Sequence, residues 1–138
     1  MNKIFSLLCI LITASSISGC AQQLYAYRAA FFNACTYPVQ VTVSHYSNLD
    51  SLANSRADGL VEPRQIFAPD PVLLMTDGVK RDVKYAIADN YKLEISANGK
   101  TISLDKAGFL KVLEDAKLDH SFFTTVYEWT INDPKLCP

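Results

Sequence analysis

The sequence predicts a mainly β domain, a single antiparallel β-sandwich with one late α-helix. Three observations point there. Val39, Val41 and Val43 alternate with Gln40, Thr42 and Ser44, the period of a half-buried strand. Asn98-Gly99 lies between two more alternating runs, and both residues tolerate the positive φ of a type I′ hairpin turn. Beyond Asp105 the apolar spacing changes, with Phe109, Val112, Leu113 and Ala116 recurring at helical intervals.

The chain begins with Met1-Asn2-Lys3, then an apolar run over 4–12 broken by Ser6, then small and polar residues up to Ile17-Ser18-Gly19-Cys20. That is the pattern of a signal peptide, too short to span a bilayer as a mature helix. The last four residues resemble the lipobox of bacterial lipoproteins: a branched apolar residue, two small ones, then a cysteine. The resemblance implies cleavage before Cys20, a diacylglyceryl thioether on its sulfur and acylation of its new amino group. One acyl chain holds a protein at a membrane marginally, whereas two or three hold it firmly. Ala21 stands where an aspartate resembles the inner-membrane retention signal of enteric bacteria, so the expected address is the periplasmic face of the outer membrane. The expected organisation is a removed segment over 1–19, a lipidated tether over 20–30 and a β-rich periplasmic domain over 31–138. Tyr25 and Tyr27 either rest at the lipid interface or begin the first strand.

Along the domain, the strand at 39–43 follows Pro38. Residues 47–59 are rich in turn formers and read as a polar loop. Pro63, Pro69 and Pro71 leave room for a short strand at Ile66-Phe67 and an apolar run over 72–75, with a turn at Asp77-Gly78. Val83, Tyr85 and Ile87 alternate with Lys84, Ala86 and Ala88 and predict another strand. The two-residue loop at Asn98-Gly99 sets a register in which opposing residue numbers sum to 197. Ile95 then faces Ile102 and Leu93 faces Leu104, while Lys92 meets Asp105 on the other side. Asp105 is placed to cap a helix over 106–117. After a turn at Asp119-His120, Phe123, Tyr127, Trp129 and Ile131 share one face of a central strand, with Trp129 the largest core contributor. About six or seven strands and one helix fit an immunoglobulin-like or transthyretin-like sandwich, with a small closed barrel as the alternative.

Thirteen basic and 14 acidic residues are interspersed without a run of either sign, and losing Lys3 leaves the mature part near −2. Nucleic-acid binding would need a basic excess or stripe, so no nucleic-acid partner is expected. Of four cysteines, Cys9 departs with the signal peptide and Cys20 takes lipid. Cys35 and Cys137 remain, an even pair that reads as a disulfide in an oxidising periplasm. Closing a loop of roughly a hundred residues is worth about 4.7 kcal/mol in the chain-entropy account.

No constellation carries chemistry. Asn98-Gly99-Lys100-Thr101 looks like the end of a phosphate-binding loop, but Glu94 stands where that motif needs glycine and a strand follows in place of a helix. His45 and His120 lie far apart in sequence and assemble neither a metal set nor a nucleophile–base pair. No cofactor beyond the lipid on Cys20 is expected, and no catalytic residue. The expectation is a non-catalytic, membrane-anchored accessory or assembly factor with an envelope protein partner. Its contacts are expected in the loop over 47–59 and the proline-rich 62–72, including Asn48, Asp50, Arg56, Asp58 and Arg64. The alternative is a small binding or inhibitor module, directed at a lysozyme-like enzyme or a soluble ligand.

Overall fold

The computed structural model describes residues 25–46, 54–68, 74–76, 83–120 and 126–138. Two packed sheets form the β-sandwich that the alternation predicts, and among the described residues neither closes into a barrel. Nine strands are described: β1 Tyr25–Phe32, β2 Val39–Ser44, β3 Arg56–Val61, β4 Ile66–Phe67, β5 Leu74–Thr76, β6 Lys92–Ala97, β7 Lys100–Asp105, β8 Lys117–His120 and β9 Val126–Ile131. Helix α1, Lys106–Asp115, lies between β7 and β8. One sheet runs β3-β2-β6-β7; the other runs β4-β1-β9-β8, with β5 also paired to β1.

The β6–β7 hairpin has the register its turn demands, Lys92 opposite Asp105 through Ala97 opposite Lys100. Asn98 and Gly99 both hold positive φ, 51° and 75°, as a type I′ turn requires. Leu93 and Ile95 are buried. The Lys92 ammonium, however, pairs with Glu94 at 2.8 Å along its own strand. Asp105 instead caps α1, its carboxylate accepting from the Gly108 N–H at 2.8 Å. Phe109 and Leu113 are the helix's buried face.

Five expectations are corrected. The tether boundary at residue 30 falls inside β1, which begins at Tyr25. This strand is central, pairing with β9 on one side and with β4 and β5 on the other, and it buries Tyr27 and Phe31. Residues 56–59 leave the loop and join β3, because β2 supplies a continuous ladder from Val39 opposite Val61 to Ser44 opposite Arg56. The alternation at 83–88 is not a strand. Val83–Tyr85 make one 3-10 turn, closed by the Ala86 N–H on the Val83 carbonyl. Tyr85 then points outward while Ala86, Ile87 and Ala88 are buried consecutively, the small alanines letting the backbone sink into the core. Finally, α1 stops at Asp115, and His120 lies in strand β8, not in a turn.

β9 is central as expected, but it pairs with β1 in parallel, so its sheet is mixed. Trp129 packs against the core only partly buried, its ring 6.0 Å from Tyr27, while Ile131, Ile95 and Ile87 are fully enclosed. Phe123, the run at 72–73 and the turn at Asp77-Gly78 lie outside the described residues.

Parallel pairing has one consequence for the termini: β1 and β9 exit at the same end of the sheet. Cys35 follows β1 and Cys137 follows β9, and a disulfide joins them across a Cα–Cα distance of 5.6 Å and a sequence separation of 102. The predicted staple is therefore present. The Tyr37 hydroxyl donates to the Pro138 carbonyl beside it.

Candidate contact surface

The two flanks of the sandwich are built differently. On one, α1 passes from β7, the edge of one sheet, to β8, the edge of the other. The Lys106 ammonium fastens the start of the helix to Asp89 at 2.7 Å, and this hydrogen-bonded cation holds the Asp89 carboxyl below its ordinary value. On the other flank, β3 and β4 are joined by a short turn over 62–65 and no helix covers them among the described residues.

That turn is pinned from behind by Asn33, which is fully buried. Its Nδ2 donates to the carbonyls of Val61 at 2.8 Å and Tyr37 at 3.0 Å, and its Oδ1 accepts from the Cys35 N–H at 2.9 Å. Its own N–H donates to the Gln65 carbonyl, and its carbonyl accepts from the Arg64 N–H, both at 2.9 Å. One amide thus ties the end of β1, the end of β3, the turn and the disulfide loop. Arg64 takes positive φ, 65°, to complete the turn. Behind β3, Gly59 makes room for Phe67 of β4, since a Cβ there would sit 2.9 Å from the ring's Cε2.

The two strands joined by this turn each carry a large exposed apolar side chain, Leu60 on β3 at 64% and Ile66 on β4 at 59%, each directed away from the core on its own sheet. Arg56, Asp58, Glu62 and Arg64, in the same stretch of chain, are also exposed. Arg56 and Asp58 form a loose ion pair at 3.7 Å. Three residues expected in contact loops, Arg56, Asp58 and Arg64, therefore fall on this flank, the first two on an ordered strand. Asn48 and Asp50 lie outside the described residues, as does Cys20. Leu60 went unnoticed in the sequence and Ile66 was read only as part of a short strand, because an isolated apolar residue in a strand pattern signals core, and only the pairing reveals which face is outside.

Elsewhere the interior offers little room. The apolar space between the sheets, lined by Phe31, Val41, Leu93, Tyr91 and Phe109, measures about 30 Å³, enough for a water and far too small for an organic ligand. Burial raises the Tyr91 phenol's pKa, and its hydroxyl has no hydrogen-bond partner among the described residues. His45 immediately follows β2 in one sheet, whereas His120 sits on β8 in the other, stacked 4.1 Å from Tyr127. Among the described residues no group of three or more His, Cys, Asp or Glu could hold a metal ion, and no helix is long and apolar enough to cross a membrane. No protein-family model matches the chain, and neither a curated protein nor a solved structure does.

Proposed function

We propose that this chain is a non-catalytic lipoprotein of the bacterial outer membrane. Lipid on Cys20 holds the β-domain at the periplasmic face, where it serves as an accessory or assembly factor through protein–protein contact. The contact surface is the uncovered flank of β3 and β4. The observation that carries this reading is the exposure of Leu60 and Ile66, each more than half exposed on an edge strand, among the exposed charges Arg56, Asp58, Glu62 and Arg64 of the same stretch of chain. Exposed apolar side chains interspersed with polar ones are the composition of a protein interface. The lipobox resemblance at 17–20 supports the anchor, and the disulfide suits an oxidising compartment.

Two measurements test it. Globomycin should make the unprocessed precursor accumulate, and Cys20→Ser should move the protein out of the membrane fraction; normal processing or unchanged fractionation would refute the anchor. In-cell crosslinking of the full-length lipoprotein, followed by mass identification, should recover an envelope protein, with the yield falling in the Ile66→Ser variant. Recovery of no partner would refute the contact role.

A further inference from the structure

The uncovered flank has a backbone edge as well as side chains. Just before β3, the Ser55 carbonyl accepts from the His45 N–H at 2.7 Å, in the same register that sets Val39 opposite Val61. In an antiparallel ladder a residue's N–H and C=O point to the same side and successive residues alternate. Ser55, Ala57, Gly59 and Val61 therefore face β2, while Arg56, Asp58 and Leu60 direct their N–H and C=O groups outward. Among the described residues β3 pairs with β2 alone. An open strand edge of this kind is a template for another strand. The edge at β7 differs: it presents Lys100, Thr101, Ser103 and Asp105 and turns directly into α1.

We infer that β3 pairs antiparallel with β3 of a second copy of this chain, about a two-fold axis at Ala57. This rests on reading the flank as a protein-contact surface. Charge selects both occupant and register. Centred on Ala57, the pairing sets Arg56 opposite Asp58 of the second copy, twice. With the ion pair already present along each strand, the four charges alternate around a square. Each arginine then has an aspartate beside it and another across from it, with like charges only on the diagonals. A register centred on Asp58 would oppose two aspartates. One centred on Leu60 would oppose Asp58 to Glu62 and Arg56 to Arg64. One centred on Gly59 would set Arg56 against Glu62, beyond the end of β3, but Asp58 against Leu60, so that only one of the two strand charges gains a partner across the pair. Like charges directly opposite are destabilising and opposite charges stabilising, so the Ala57 register is favoured. Anchoring both copies on one membrane surface raises their effective concentration, which suits an interface of a single strand pair. Ile66 and Arg64 stay outside the pair and are presented twice, to a different protein.

The test is a photoreactive amino acid at Leu60 of the full-length chain in cells, where this register brings it against Asn54 of the second copy. The expected product is an adduct of twice the chain's mass. Arg56→Asp or Asp58→Arg alone should reduce it about tenfold, and the double variant should restore it by re-forming the pairs with signs exchanged. Both side chains are exposed, so each variant should fold, and a circular-dichroism melt of the purified variant within about 4 °C of the parent's checks it. A Leu60 adduct with another protein overturns the inference, as does a dimer indifferent to the single reversals. Absence of a Leu60 adduct while a probe at Ile66 still captures an envelope protein overturns the dimer and leaves the contact role standing. Absence at both positions refutes the two together.

Discussion

Replacing Asn33 by alanine isolates what holds the uncovered flank in shape. The change deletes three side-chain hydrogen bonds, to the Val61 and Tyr37 carbonyls and from the Cys35 N–H, at a fully buried position. Each such bond contributes about 1 kcal/mol net, and a buried group left unpaired costs a further fraction, so the loss should be about 3 kcal/mol. The Cys35 N–H is the most exacting of the three partners, since a donor has one hydrogen to place, whereas a carbonyl keeps a second lone pair. Urea unfolding with the disulfide intact reads this directly. At a slope of about 1.5 kcal/mol/M, the midpoint should fall by about 2 M with the slope unchanged. A fall of less than about 0.5 M would refute the assignment of Asn33 as the tie between the sheets.

Asn33→Asp sharpens the same experiment. Its shape is nearly unchanged, but both donors become acceptors aimed at carbonyl oxygens, and at neutral pH a charge is buried without a cation. It should be less stable than Asn33→Ala at pH 7. Burial raises the new carboxyl's folded-state pKa above its unfolded value, so its stabilising share is present at low pH and lost as pH rises through the carboxylate range. The gap between the two variants should therefore narrow as pH falls towards about 4. A gap constant with pH would show that shape, not proton placement, makes Asn33 matter.

Other positions respond in different currencies. Gly59→Ala forces the Phe67 ring to shift from a Cβ at 2.9 Å, and against the usual gain from removing a strand glycine it should cost about 1 kcal/mol net, seen as a melting point lower by about 4 °C. Replacing both Cys35 and Cys137 by alanine should cost about 2–5 kcal/mol in urea, and reduction of the parent protein should match it. Tyr91→Phe should leave stability at pH 7 within about 0.5 kcal/mol, since its hydroxyl has no partner among the described residues to lose. Burial raises the Tyr91 phenol above its ordinary 10.0, so its contribution is complete below that pH and is lost as pH rises beyond it. Tyr91→Phe should accordingly flatten the alkaline limb of a stability–pH curve, and an unchanged limb would refute the burial of that hydroxyl.

What the sequence made legible was whatever local chemistry decides. The Asn98-Gly99 turn fixes φ at two residues, and the side-chain alternation on either side independently demands the same register, so every β6–β7 pair could be written in advance. Asp105 is legible as a cap for the same reason. The disulfide followed from counting cysteines against compartment. Elements decided by distant partners were not legible. Arg56-Ala57-Asp58-Gly59 has turn-forming composition, and only the ladder offered by β2 makes it a strand. Tyr25–Ala30 reads equally as tether or strand until β9, a hundred residues later, lies beside it.

The flank now proposed for contact combines both kinds of residue, which explains why it was half visible. Arg56, Asp58 and Arg64 were noticed because charge in a polar stretch has few core obligations, and that inference needs no fold. Leu60 and Ile66 have the opposite signature. An apolar residue is assigned to the core by default, and it is the register with β2 that turns Leu60 outward while Val61 turns in. A one-residue slip that turned Leu60 inward would also bury Asp58 and expose Val61, and Gly59 and Phe67 forbid it: moving β3 by one residue would drive Asp58 or Leu60 into the space the Phe67 ring occupies. The contact between Gly59 and Phe67 thus locks Leu60 on the outside, and a surface fixed there by the core is one on which a partner can rely.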